Sequence, residues 1–333
     1  METQSKLTLS TSPFLHDEAT TPWIMRQVIY ALVPVAAAAY YFFGLSVILL
    51  SVAAVSGCMF AEWLLSGSNP RHQSLFDGSA LLTGLLLALT LPPGFPMWMA
   101  FLGGLIAIMI GKYIWGGLGQ NIFNPALVGR AFLQAAFPTA ITTWSVPDGR
   151  YFSARGTNLA WPFFHGEPLD AISSATPLSS MKFQHEATEL SQLMLGHTSG
   201  SLGETCGVII LLAGVYLAYR KIFNWHIPVS IMTATVVLSG ILYIVNPVLY
   251  PSPMHMLFSG GLMLGAVFMA TDPVTSPMTV RGMWIFGSGI GILVVLIRIF
   301  GGLPEGVMYA ILLMNAVTPL INRVTRHRVY GTK

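Results

Sequence analysis

Three groups of residues in this sequence have the types and spacing to do chemistry. The first is the stretch Asp170-Ala171-Ile172-Ser173-Ser174-Ala175-Thr176-Pro177-Leu178-Ser179-Ser180. A hydroxyl-rich segment beside a proline forms a turn, and small neighbours leave the Thr176 hydroxyl open to an enzyme that would join a phosphoester to it. The second is the pair Asn121 and Asn124 ahead of Pro125. Residues three apart share one face of a starting helix. Their carboxamides could pair with the donor and acceptor edge of a flat ring system, or simply cap the helix. The third group is ionisable: Arg130, Asp272 and Arg298 lie within or at the ends of apolar runs. Such groups are expensive in lipid and face a cavity, a partner or a cofactor. Asp272 follows Thr271 at the end of a short apolar segment, and Thr90 is the counterpart of Thr271 in an earlier one. Interrupted helices expose carbonyls that bind cations and N–H groups that bind anions. Asp272, Thr271 and Thr90 are therefore candidates for an ion or cofactor site, the alternative being an interfacial aspartate paired with a nearby arginine.

Other chemistries find no support. Cys58 and Cys206 lie in separate apolar segments without a CxxC partner, so they read as small buried residues. His165, His185, His197 and His255 do not have the i, i+4 spacing of a helical metal site, and no metal is expected. No glycine-rich phosphate loop follows a strand pattern. The basic tail Arg323-Val324-Thr325-Arg326-His327-Arg328 suits anionic lipid and is not read as a nucleic-acid patch.

The elements that must position these residues are membrane helices. Apolar residues make up 54% of the chain and charged ones 9%, against roughly 25% charged in a soluble domain, and the mean hydropathy is +0.67. So few charges cannot cover a water-facing surface. The apolar runs are 25–43, 45–65, 78–91, 97–115, 122–138, 203–219, 228–246, 258–271, 283–300 and 304–321. Most approach the roughly 20 residues that a spanning helix needs. The runs 78–91 and 258–271 are shorter, reach only about 20 Å, and end in proline-rich breaks. Gly84, Thr90, Pro92 and Pro96 match Gly265, Thr271, Pro273 and Pro277 at one constant offset, and Gly116-Gly117 matches Gly301-Gly302. The expected fold is an all-α polytopic membrane protein of about ten transmembrane segments in an inverted 5+5 repeat, with two short broken half-helices.

Charge sets the expected orientation. With the N-terminus inside, Lys6, Arg26, Arg71, Lys112, Arg220, Lys221, Arg281 and the basic tail face the cytoplasm. Only Arg150, Arg155, Lys182 and Arg298 face outward. No signal peptide is recognised ahead of the first run. The organisation expected is a cytoplasmic extension (1–24), a first membrane repeat (25–138), a periplasmic loop (139–202), a second repeat (203–321) and a cytoplasmic tail (322–333), in a bacterial inner membrane.

Four stretches carry a family resemblance: Asp77-Gly78-Ser79-Ala80-Leu81-Leu82-Thr83-Gly84, Asn121-Ile122-Phe123-Asn124-Pro125-Ala126, Ser173-Ser174-Ala175-Thr176-Pro177-Leu178, and Phe268-Met269-Ala270-Thr271-Asp272-Pro273. Together they resemble the D subunit of Rnf electron-transport complexes and, more distantly, the B subunit of the sodium-pumping NADH:quinone oxidoreductase. The resemblance implies an FMN joined through its phosphate to Thr176 by a separate flavin transferase, with Asp170, Ser173 and Ser174 in the same motif. Ser174 stands where the family usually has Gly. It also implies a non-covalent riboflavin near Asn121 and Asn124, and partner subunits in a redox complex that couples NADH and ferredoxin chemistry to Na⁺ or H⁺ movement. A cofactor-free secondary transporter would explain the inverted halves equally well, though not the Thr176 stretch. A passive scaffold is a third reading.

Overall fold

The computed structural model describes residues 20–326 apart from 67–70, 148, 150, 153–154, 163–174, 185, 187, 205 and 248. Its first half holds helices α1 (Thr21–Phe43), α2 (Leu45–Leu65), α3 (Ser79–Leu89), α4 (Met97–Gly111) and α5 (Pro125–Ala136). The second half holds α6 (Gly207–Tyr219), α7 (His226–Val245), α8 (Pro253–Phe258), α9 (Val280–Phe300) and α10 (Val307–Val324). After α8 the chain breaks at Ser259–Gly261 and resumes as Leu262–Leu264 and a π turn, Gly265–Met269. Gly260 adopts φ +65° there, a left-handed conformation open to glycine at no steric cost.

Among the described residues six helices are long and apolar enough to cross a membrane, and α3 and α6 are shorter apolar helices. The chain is an all-α polytopic membrane protein. Two runs expected to span fully do not. Run 122–138 yields only the 12 residues of α5, because Asn124 and Pro125 start the helix and Phe137-Pro138 ends it. Run 203–219 yields the 13 residues of α6, because Cys206, at φ 59°, stands outside helical geometry.

The halves repeat each other in packing. In the first half α2 packs on α4 and α4 on α5; in the second, α7 packs on α9 and α9 on α10. Both principal pairs depend on glycine. A Cβ on Gly104 of α4 would collide with the Ala54 carbonyl of α2, and one on Gly291 of α9 would lie 2.7 Å from the Ile231 carbonyl of α7. Close backbone approach of this kind is how helices associate where no hydrophobic force acts between them.

Helix direction defines two ends. Residues of α1's first turns (Ile24, Met25, Val28) and of α6's last turn share a cavity with Asn121. At the other end Phe42 of α1 packs its ring on His197, and the Leu202 amide donates to the Leu91 carbonyl beyond α3. The first half thus starts at the Asn121 end and the second half at the opposite one, as inversion requires.

Candidate functional site

Thr176 starts a short helix. Its hydroxyl accepts from the Ser179 amide at 3.2 Å and lies 3.0 Å from the Ser179 hydroxyl, while the helix opens with Pro177 at its first position. Two contacts hold this segment, one within the loop and one on the second half. Ser199 donates to the Ala175 carbonyl at 2.8 Å, and Lys182 donates to the carbonyls of Gly301 and Leu303 between α9 and α10. Burial lowers the Lys182 pKa from its ordinary value. Thr176 is 8% exposed and lines a cavity of about 390 Å³ with Arg130, Gln134, Trp144, Ser179 and Glu204. That volume falls in the usual range for small-molecule sites.

Glu204 and Glu305 line the cavity with Arg130, and Arg298 stands behind Glu305. Arg298 donates to the carbonyls of Met256 at 2.6 Å and Ser259 at 2.9 Å, and meets Glu305 Oε1 at 3.4 Å. It thereby satisfies carbonyls that the break after α8 frees. Glu305 Oε2 in turn accepts the Gly261 amide at 3.2 Å. Glu204 precedes α6 and accepts the Ser201 amide. Burial, then the nearby Glu305 charge, raise the Glu204 pKa from 4.5 to about 7 against the pull of Arg130. Arg130, on α5, is 8% exposed, and its Nε has no hydrogen-bond partner. Asp170, Ser173 and Ser174 lie outside the described residues.

At the other end Asn121, Asn124, Thr271 and Asp272 come together. Asn124 caps α5, its Oδ1 accepting from Ala126 at 3.0 Å and Leu127 at 3.4 Å, and its Nδ2 donates to the Met269 carbonyl at 3.1 Å. Both ends of this amide are therefore engaged, and it ties the two halves together at the end of the π turn. Asn121 Nδ2 donates to the Phe123 carbonyl at 3.3 Å. Asp272 closes its own turn by accepting the Val274 amide at 3.2 Å. Among the described residues no arginine pairs with it. The cavity here is about 80 Å³, well below the ~300 Å³ at which small-molecule sites begin. As it stands it does not fit a three-ring flavin.

Thr90 requires a correction. It belongs to the Leu202 end, while Thr271 and Asp272 belong to the Asn121 end. Inversion carries equivalent residues to opposite ends, so the repeat that suggested grouping Thr90 with Thr271 is what separates them. Each hydroxyl folds back on its own helix, Thr90 on the Leu87 carbonyl at 2.7 Å and Thr271 on the Val267 carbonyl at 2.6 Å.

Beside the Asn121 cavity stands a buried pair that sequence reasoning missed. Lys112 Nζ lies 2.8 and 2.9 Å from the two oxygens of Glu62 and 2.8 Å from the Ser79 hydroxyl. Tyr113 donates to Glu62 at 3.0 Å, Ser74 adds a further bond, and Asp77 accepts from the Ser79 amide and hydroxyl at 2.7 Å. The pair clamps α2 to α4 at the start of α3. The available signal was Glu62, the sole acidic residue of the run 45–65.

These helices, in two inverted halves with Thr176 on a cavity at one end, make an all-α polytopic membrane protein. The chain belongs to the NQR2, RnfD, RnfE family, whose model matches residues 8–331. It is 40% identical over 336 residues to the D subunit of the proton-translocating ferredoxin:NAD(+) oxidoreductase complex of Clostridium ljungdahlii, covering 98% of this chain and 96% of that one. The D subunits of the ion-translocating oxidoreductase complexes of Yersinia pseudotuberculosis and Stutzerimonas stutzeri are 41% and 42% identical, the first covering 98% of each chain and the second 92% of this chain and 91% of its own.

Proposed function

We propose that this chain is the flavin-carrying membrane subunit of an ion-translocating oxidoreductase complex. FMN is held as a phosphodiester on Thr176, on the periplasmic side of an inner membrane whose cytoplasmic side receives both termini. The carrying observation is the Thr176 hydroxyl on the wall of a cavity of about 390 Å³ that Arg130, Gln134 and Glu204 also line, in a chain whose relatives bear the names given above. In attachment a P–O bond forms to Oγ1 and the threonine proton is lost. The bond from that phosphorus to the leaving group of an activated flavin donor breaks, and the leaving group takes up a proton; a separate transferase carries out the exchange. Bound FMN supplies one- and two-electron redox chemistry. The chain's own part is placement. The cap on Ser179 and the Lys182 anchor fix the attachment point, the Trp144 side chain offers a flat face to a ring, and α5 and α6 connect this cavity to the Asn121 end. The 13 residues of α6 separate the two ends by about 20 Å.

The other subunits of the complex complete the redox path and the coupling to Na⁺ or H⁺. Intact-mass spectrometry of the purified chain tests the reading: a mass increase of FMN less water, absent in Thr176→Ala, is expected. A chain of unmodified mass that still moves ions would favour the second reading, a cofactor-free secondary transporter, for which the broken α8 and the inverted halves speak.

A further inference from the structure

Arg130 is the one cation lining the Thr176 cavity that the described residues leave uncommitted. It is 8% exposed, its Nε has no partner, and no described carboxylate lies within ion-pair distance. Arg298, which stands behind Glu305, is spent on Met256, Ser259 and Glu305. A buried cation without a partner is costly and calls for an anion. Glu204 is a poor candidate. Its Oε1 is itself unpartnered, and burial together with Glu305 drives it towards the neutral form.

Resting on the reading of Thr176 as a flavin attachment point, we propose that Arg130 binds the phosphodiester that joins the flavin to Thr176. Both residues line the same cavity, with the Ser179 hydroxyl beside Thr176 and the Gln134 amide one turn beyond Arg130 on the same face of α5. A diester on Oγ1 carries one negative charge on two non-bridging oxygens. The guanidinium fork matches that pair bidentately, as a lysine ammonium does not. The ester thus supplies the counter-charge that no described residue gives Arg130, and the arginine fixes the ester's orientation relative to Trp144.

The test compares flavin-loaded and unloaded full-length chain, purified from hosts with and without the flavin transferase. Each form is measured by intact mass and by thermal unfolding. Loading is expected to raise the Tm of the wild-type chain. Arg130→Met should abolish that rise, or fail to load, while its unloaded form is at least as stable as unloaded wild type. The sign reverses because the substitution removes an unpaired charge from one form and a phosphate ligand from the other. Arg130→Lys should keep part of the rise, and it carries the comparison if the Met variant does not accumulate. A rise as large in the variants as in wild type overturns the inference. A wild-type chain without the FMN mass increment, from the transferase-bearing host, overturns instead the reading on which it rests.

Discussion

Replacing Lys112 by Met puts a number on the clamp between α2 and α4. Glu62 is fully buried and Lys112 is 3% exposed, so water cannot take over when the ammonium is lost. The methionine fills similar space, and the hydrophobic contribution changes little. What remains is a carboxylate with Tyr113 and Ser74 as donors and no counter-charge, while the Ser79 hydroxyl loses one partner. Breaking a buried pair from one side costs about 3–5 kcal/mol, and the surviving donors place this case near ~3 kcal/mol. Glu62→Leu alone strands the ammonium and should cost a similar amount. The double variant Glu62→Leu/Lys112→Met leaves no charge behind and should fall within about 1 kcal/mol of wild type. Thermal unfolding in detergent, run as a double-mutant cycle, reads a coupling of at least ~2 kcal/mol. Additive losses, or a single variant as stable as wild type, would refute the clamp.

Two further predictions concern the two ends. Asn124→Ala removes the α5 cap, at about 1 kcal/mol, and leaves the Met269 carbonyl unpaired, at about 1–3 kcal/mol. Asn124→Asp keeps the acceptor and should lose only the second part, so a wild-type Tm in that variant would show that the tie to Met269 is idle, and equal losses in the two variants that the cap is. Glu204 holds its proton more tightly folded than free, so folding takes up a proton between pH 4.5 and about 7. Stability should fall as pH rises through that window, and Glu204→Gln should flatten the profile of Tm against pH. An unchanged slope in the variant would assign the effect to Glu305 or another group.

The membrane class and the inverted halves were legible because composition and the Gly84/Gly265, Pro92/Pro273 register survive in any packing. Segment length was not. Asn124-Pro125 and Cys206 shorten α5 and α6 by capping and by backbone geometry, which hydropathy does not register. Thr176 stood out by its neighbours, but an open hydroxyl was expected and the structure buries it to 8% exposure and turns it onto Ser179, because Pro177 starts a helix there. The cavity's charged wall was not, because Arg298, Glu305 and Glu204 meet only when the break after α8 folds against the α9–α10 connection. Glu62 and Lys112 were each visible, but their 50-residue separation hid the pair. Thr90 shows the converse error: sequence equivalence in an inverted repeat implies opposite ends, not a shared site.

The central claim is a phosphodiester on Thr176, and intact-mass spectrometry of the full-length chain tests it most directly. The account predicts one FMN less one water on the wild-type chain, with flavin fluorescence surviving denaturation, and neither in Thr176→Ala. A wild-type chain of unmodified mass from cells that express the flavin transferase, or an adduct that persists in Thr176→Ala, would contradict it.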